Sequence, residues 1–159
     1  MNFKPGPEHA WLDQMIGHWA ISATAPGCEA PPGTETVRSI GGFWIVAEGK
    51  GEMPNDGGPM TSLLTLGYDP RVGSFVGSWV GSMMPYTFFY EGVLDRSANT
   101  LTLHTEGPDF SDLSKSASYR EIVTIIDQNT RTFVSQKEAE DGSWSEFMNA
   151  RYTRLLALA

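Results

Sequence analysis

From Trp19 to Arg154 the chain is built almost wholly from short runs of period-two alternation, joined by reversals too tight to hold a crossover helix. Trp19-Ala20-Ile21-Ser22-Ala23 opens the series, and runs over 34–40, 43–53, 60–68, 74–82, 86–95, 100–106, 117–126, 131–139 and 144–154 continue it. Gly41-Gly42, Asp56-Gly57-Gly58, Asp69-Pro70-Arg71-Val72-Gly73, Asp127-Gln128-Asn129 and Asp141-Gly142 supply the dihedral angles that tight turns need. Consecutive strands are therefore antiparallel neighbours, since a parallel pair would require a longer connection. The stretch from Gly107 to Ser116 alone has room for a lid or a helical turn. The expected fold is all-β, an antiparallel up-and-down barrel of about ten strands. A closed sheet removes its own edges and encloses either side chains or a ligand.

A short helix precedes the sheet. Pro7 suits a first turn, Trp11, Leu12, Met15 and Ile16 share one helical face, and Gly17 suits the residue after the end, which predicts a helix over 7–17. The 159 residues fit one domain, 1–159, able to bury a core without disulfides. The apolar tail 155–159 is placed to cover the barrel or to meet a second copy in a homodimer. Eleven Lys and Arg against nineteen Asp and Glu leave a net charge of −8, which argues against nucleic acid and anionic membrane surfaces as partners. Cys28, the single cysteine, sits in a Pro/Gly-rich stretch read as an exposed loop. With no disulfide, no basic and apolar leader and no spanning run of ~20 apolar residues, the expected location is the cytoplasm.

The densest aromatic and thioether stretch runs from Trp79 to Tyr90 and straddles a predicted turn. Rigid aromatic area and flexible Met side chains suit an irregular apolar guest, so Trp79, Met83, Met84, Tyr86, Phe88 and Tyr90 are lining candidates, with Met148 on the last strand. Ordinary core is the competing reading. Alternation groups Trp79 with Phe75, Gly77 and Gly81, and Tyr86 with Phe88 and Tyr90, without saying which face is inner.

Glu48, Glu91, Glu106 and Arg120 lie inside strand runs, where a charge is either solvated or paired within a cavity. An interior polar cluster is assigned first to Glu48, Glu91 and Arg120, which would anchor a polar group on the ligand. The alternative is an enzyme in which Glu48 acts as base and Glu91 or Glu106 as acid in the same cavity. His9, His18 and His104 lack metal-ligand spacing, so no metal site is expected. His104 is the residue through which a haem would bind, although a lone strand histidine more often stays on the surface. No phosphate-cradling loop and no nucleophile elbow occurs: Gly77-Ser78-Trp79-Val80-Gly81 has the wrong spacing. The leading expectation is a barrel that binds a small apolar or amphipathic molecule, with no cofactor.

Several long strings carry a resemblance: Gly17-His18-Trp19, 37–49 (VRSIGGFWIVAEG), 66–70 (LGYDP), 75–84 (FVGSWVGSMM), 90–92 (YEG), 106–108 (EGP), Tyr119-Arg120 and 147–152 (FMNARY). In this order they resemble the bacterial proteins grouped as domain of unknown function 1579, over nearly the full length. The resemblance implies a calycin-like barrel of the lipocalin and fatty-acid-binding type and implies no activity. Barrels of that type place a cation from the last strand over the tryptophan of the opening Gly-x-Trp, which here would put Arg151 or Arg154 over Trp19.

Overall fold

The computed structural model describes residues 1–156, with the side chain of Glu29 excepted. Strands run in chain order as β1 (Gly17–Ala25), β2 (Cys28–Glu29), β3 (Gly33–Ile40), β4 (Trp44–Glu52), β5 (Pro59–Asp69), β6 (Ser74–Gly81), β7 (Phe88–Asp95), β8 (Thr100–Asp109), β9 (Asp112–Asp127), β10 (Thr130–Glu138) and β11 (Trp144–Arg154). Every neighbouring pair is antiparallel, and β11 returns to β1 through Trp19↔Arg154 to Thr24↔Asn149, closing a ten-strand up-and-down barrel. The two-residue β2 pairs only with the end of β1, so Cys28 is half-buried in a small ladder rather than exposed in a loop.

The segment 107–116 is not a lid. Gly107↔Ala117 and Pro108↔Ser116 prolong the β8–β9 ladder almost to its tip. Aspartates at the reversal explain this: Asp109 Oδ1 accepts the Ser111 N–H and Asp112 Oδ1 accepts the Ser114 N–H, so a Gly/Pro/Ser-rich stretch forms a tight hairpin.

One end of the barrel is plugged. The helix α1 (Pro7–Leu12) is shorter than its apolar periodicity suggested, because a 3-10 turn over Asp13–Met15 takes over and delivers the chain into β1. Trp11, Leu12 and Met15 are buried with Ile45, Leu66, Phe75, Leu101 and Val123, forming a dry floor. Full burial of each such side chain stabilises the fold by roughly 1.5–3 kcal/mol. Polar atoms at the floor are satisfied: Trp11 Nε1 donates to Asn99 Oδ1 at 2.7 Å and Trp19 Nε1 to the Met15 carbonyl at 2.8 Å.

Arg154 locks the closure. Its guanidinium lies 4.2 Å from the centre of the Trp19 ring while donating to the carbonyls of Ile16, Gln14 and Gln128. Gly17, at φ +136°, leaves room for that guanidinium, with which a β-carbon would collide. Arg154 therefore fills the expected role over the tryptophan, and Arg151 is exposed. Of the apolar tail, Leu155 and Leu156 are exposed, and residues 157–159 lie outside the described residues.

Candidate functional site

Strand alternation and burial together identify the inner face. Inward residues are Trp19, Ile21 and Ala23 on β1; Glu35 and Val37 on β3; Trp79 on β6; Phe88 and Tyr90 on β7; Thr105 on β8; Tyr119, Glu121 and Val123 on β9; Arg131, Phe133 and Ser135 on β10; and Met148, Ala150 and Tyr152 on β11. Floor residues in this set are fully buried. Toward the end opposite α1, Ile21, Ala23, Trp79, Phe133 and Met148 face inward yet remain partly exposed, so solvent enters the barrel from that side.

An aromatic network lines the entrance. Ring centroids step from Trp79 to Phe88 (6.0 Å), Phe88 to Tyr119 (6.2 Å), Tyr119 to Phe110 (6.4 Å) and Phe110 to Tyr86 (6.3 Å). Phe147 joins through Tyr119 at 6.0 Å. The pairing jumps from Ser135↔Met148 to Gln136↔Glu146, which leaves Phe147 as the extra residue of a bulge and lets its ring reach Tyr119. Phe110 is carried by the long β8–β9 hairpin, so the misjudged stretch 107–116 contributes directly to the rim. At the same rim Lys137 Nζ donates to Asp109 Oδ1 at 2.7 Å, and this contact, with the Ser111 hydroxyl, holds the Asp109 carboxyl well below the usual range.

Beneath the aromatics the barrel is polar. Arg131, 2% exposed, has its guanidinium carbon 4.4 Å from the centre of the Trp19 ring and 4.1 Å from that of Tyr152, and its Nη2 donates to Glu35 Oε1. Its Nη1 is buried with no hydrogen-bond partner among the described residues. Glu121 is buried and, among the described residues, has no cation beside it and accepts only the Ser135 hydroxyl; burial pushes its carboxyl up to about 8. Burial, reinforced by Glu121, pushes the Tyr90 phenol up, and burial, reinforced by Glu35, does the same to Tyr152. Glu35 is also raised by burial, against the pull of Arg131.

The sequence-derived candidates divide cleanly. Trp79, Phe88, Tyr90 and Met148 face inward, Met84 packs against the core, Tyr86 stands on the rim, and Met83 lies beside Gly81 with Trp79. The charged candidates lie outside. Glu48 is exposed beside Lys50 (3.4 Å), Glu91 accepts the Ser74 hydroxyl (3.2 Å), Glu106 is exposed, and Arg120 stacks on Trp144 (4.2 Å) while donating to Gln136 at 2.5 Å. Register is the reason: on β9 the inward carboxyl is Glu121, one residue from Arg120, and a single step along a strand reverses the face. Glu35, Arg131, Ser135 and Tyr152 were not anticipated: Arg131-Thr132-Phe133-Val134-Ser135 mixes polar and apolar residues on both faces and gives no alternation to read. His104 points outward, with its ring 6.5 Å from Trp144.

A groove of about 560 Å³ is bordered by outward-facing Phe89, Glu91, His104, Glu106 and Trp144 and also by Tyr90, Thr105 and Tyr119 of the inner face. It lies where the β7–β8 ladder stops at Glu91↔His104, although β7 begins at Phe88 and β8 continues to Asp109. Phe88 spans that unpaired stretch by laying its ring over Gly107, where a β-carbon would collide with it.

A family model described as a protein of unknown function, DUF1579, matches residues 4–154. The chain belongs to this family. No curated protein matches it. Among solved structures it is similar to Rv2717c from M. tuberculosis, at 14% identity with a TM-score of 0.68, covering 96% of this chain and 100% of that one. It is also similar to EF1p2_mFAP2b bound to DFHBI, at 9% identity with a TM-score of 0.50, covering 93% and 99% of the two chains. These likenesses show the barrel fold. Among the described residues no helix is long and apolar enough to cross a membrane.

Proposed function

We propose that the barrel binds a small apolar or amphipathic molecule, admitted at the aromatic end and held with its polar part over the buried groups below. The observation that carries this reading is the coexistence of inward-facing, solvent-reached Trp79, Phe133 and Met148 with the unpartnered Nη1 of Arg131 deeper in the same barrel. Aromatic and Met surface would supply affinity at about 25 cal/mol per Å² of apolar area buried, and the few polar groups would orient the guest. That a barrel of similar fold is bound to DFHBI supports the reading only at the level of shape.

The acid–base alternative that relied on Glu48, Glu91 and Glu106 has its residues on the outer face, with Glu48 on β4 away from the β7–β8 groove. Binding therefore remains the stronger reading. Tryptophan emission titrated with alkyl ketones, carboxylates and aromatic metabolites tests it. A saturable change that disappears in Trp79→Phe is expected; an unchanged response in that variant, or none with any compound, would overturn it.

A further inference from the structure

Resting on the interior-binding reading, we propose that the guest is a neutral, largely apolar molecule whose key polar atom is a hydrogen-bond acceptor, such as a carbonyl oxygen, seated on Arg131 Nη1.

The geometry leaves one direction open. The rings of Trp19 and Tyr152 both lie against the Arg131 guanidinium, and Glu35 accepts from Nη2. A guanidinium donates only in its plane, so the buried and unpartnered Nη1 marks where an acceptor belongs. Leaving such a donor unsatisfied is costly away from water, and a guest oxygen would remove that cost. The way in runs along one strand. Arg131, Phe133, Ser135 and Lys137 form a single column toward the rim, and Ile21, in the same row as Arg131 across Tyr152, is partly exposed.

Charge decides the class. Arg131 is already paired with Glu35, so the site offers no spare positive charge. Glu121 faces the same interior without a cation, and its raised ionisation keeps it mostly neutral at pH 7. A carboxylate guest would add an uncompensated negative charge beside two buried carboxyl groups, which is costly away from water. A cationic ammonium guest carries donors only and cannot accept from Nη1. A neutral acceptor meets neither penalty.

Three probes sharing one alkyl tail separate the classes: 2-undecanone, decanoate and decylammonium, titrated calorimetrically into the full chain at pH 7. The ketone should bind about tenfold or more tightly than either ion. In protein labelled with ¹⁵N-arginine, it should also shift the Arg131 side-chain N–H signals. Decanoate binding as tightly as the ketone, or ketone binding that leaves those signals unmoved, overturns the assignment while leaving interior binding intact. Failure of all three to bind overturns the interior-binding reading itself, and the assignment with it. The signal shift is read on the unaltered protein, because Arg131→Met removes a buried ion-pair partner and threatens folding.

Discussion

Replacing Glu121 by Gln should stabilise this protein at neutral pH. The side chain is buried, accepts one hydroxyl and has no cation, and burial moves its ionisation from about 4.5 to about 8. The unfolded chain therefore releases this proton at lower pH than the folded chain does. For this group, stability is greatest below pH 4.5 and falls as pH rises toward 8. At about 1.4 kcal/mol per pH unit the full loss approaches about 5 kcal/mol, of which about 3 kcal/mol is already incurred at pH 7. Gln keeps the shape and an acceptor for Ser135 but cannot ionise. Urea unfolding of both proteins from pH 5 to pH 9 measures the difference. The wild type should lose stability relative to Glu121→Gln across this range, with the two converging near pH 5. Parallel curves, or a variant less stable at pH 7, would refute the burial argument.

Other consequences follow from the same packing. Arg131→Met should destabilise the fold by about 3–5 kcal/mol in equilibrium denaturation because Glu35 is left buried and unpaired; adding Glu35→Gln should recover most of the loss, and no recovery would contradict the pairing. Leu101→Ala, at a fully buried floor position, should cost about 2–5 kcal/mol by the same assay, and a cost below 1 kcal/mol would mean the floor is loosely packed. Gly17→Ala should cost about 1–3 kcal/mol, since it strains a backbone at φ +136° and displaces the Arg154 guanidinium; Arg154→Ala should shrink that penalty, and an unchanged penalty would implicate the backbone alone.

The strands were readable because their signals are local. Turns carrying Asp or Gly mark most of the corners, and alternation marks the runs between them. The barrel's polar interior was not readable in detail, for a reason visible on β9. Tyr119, Glu121, Val123 and Ile125 form its inner face, but Ile122 and Ile126 lie on the outer one, so hydrophobicity does not choose between the two. Without that choice Arg120 and Glu121 are equivalent candidates. The decisive contact, Arg131 with Glu35, joins residues 96 apart and depends on barrel closure, which no local pattern encodes. The stretch 107–116 has loop composition, and only pairing with its own return strand makes it a hairpin that raises Phe110 to the rim. The aromatic candidates 79–90 survived better because they straddle a turn at the entrance, so even their outward members stand on the rim.

Native mass spectrometry of gently purified protein, before and after incubation with 2-undecanone, tests interior binding most directly. A barrel that hosts a guest should show one bound molecule per chain, either retained from the cell or taken up from the probe, and lose it in the double variant Trp79→Arg/Phe133→Arg, which places charge where the apolar guest would lie. Bare protein under both conditions, or several molecules bound without a preferred stoichiometry and unaffected by those substitutions, would contradict it.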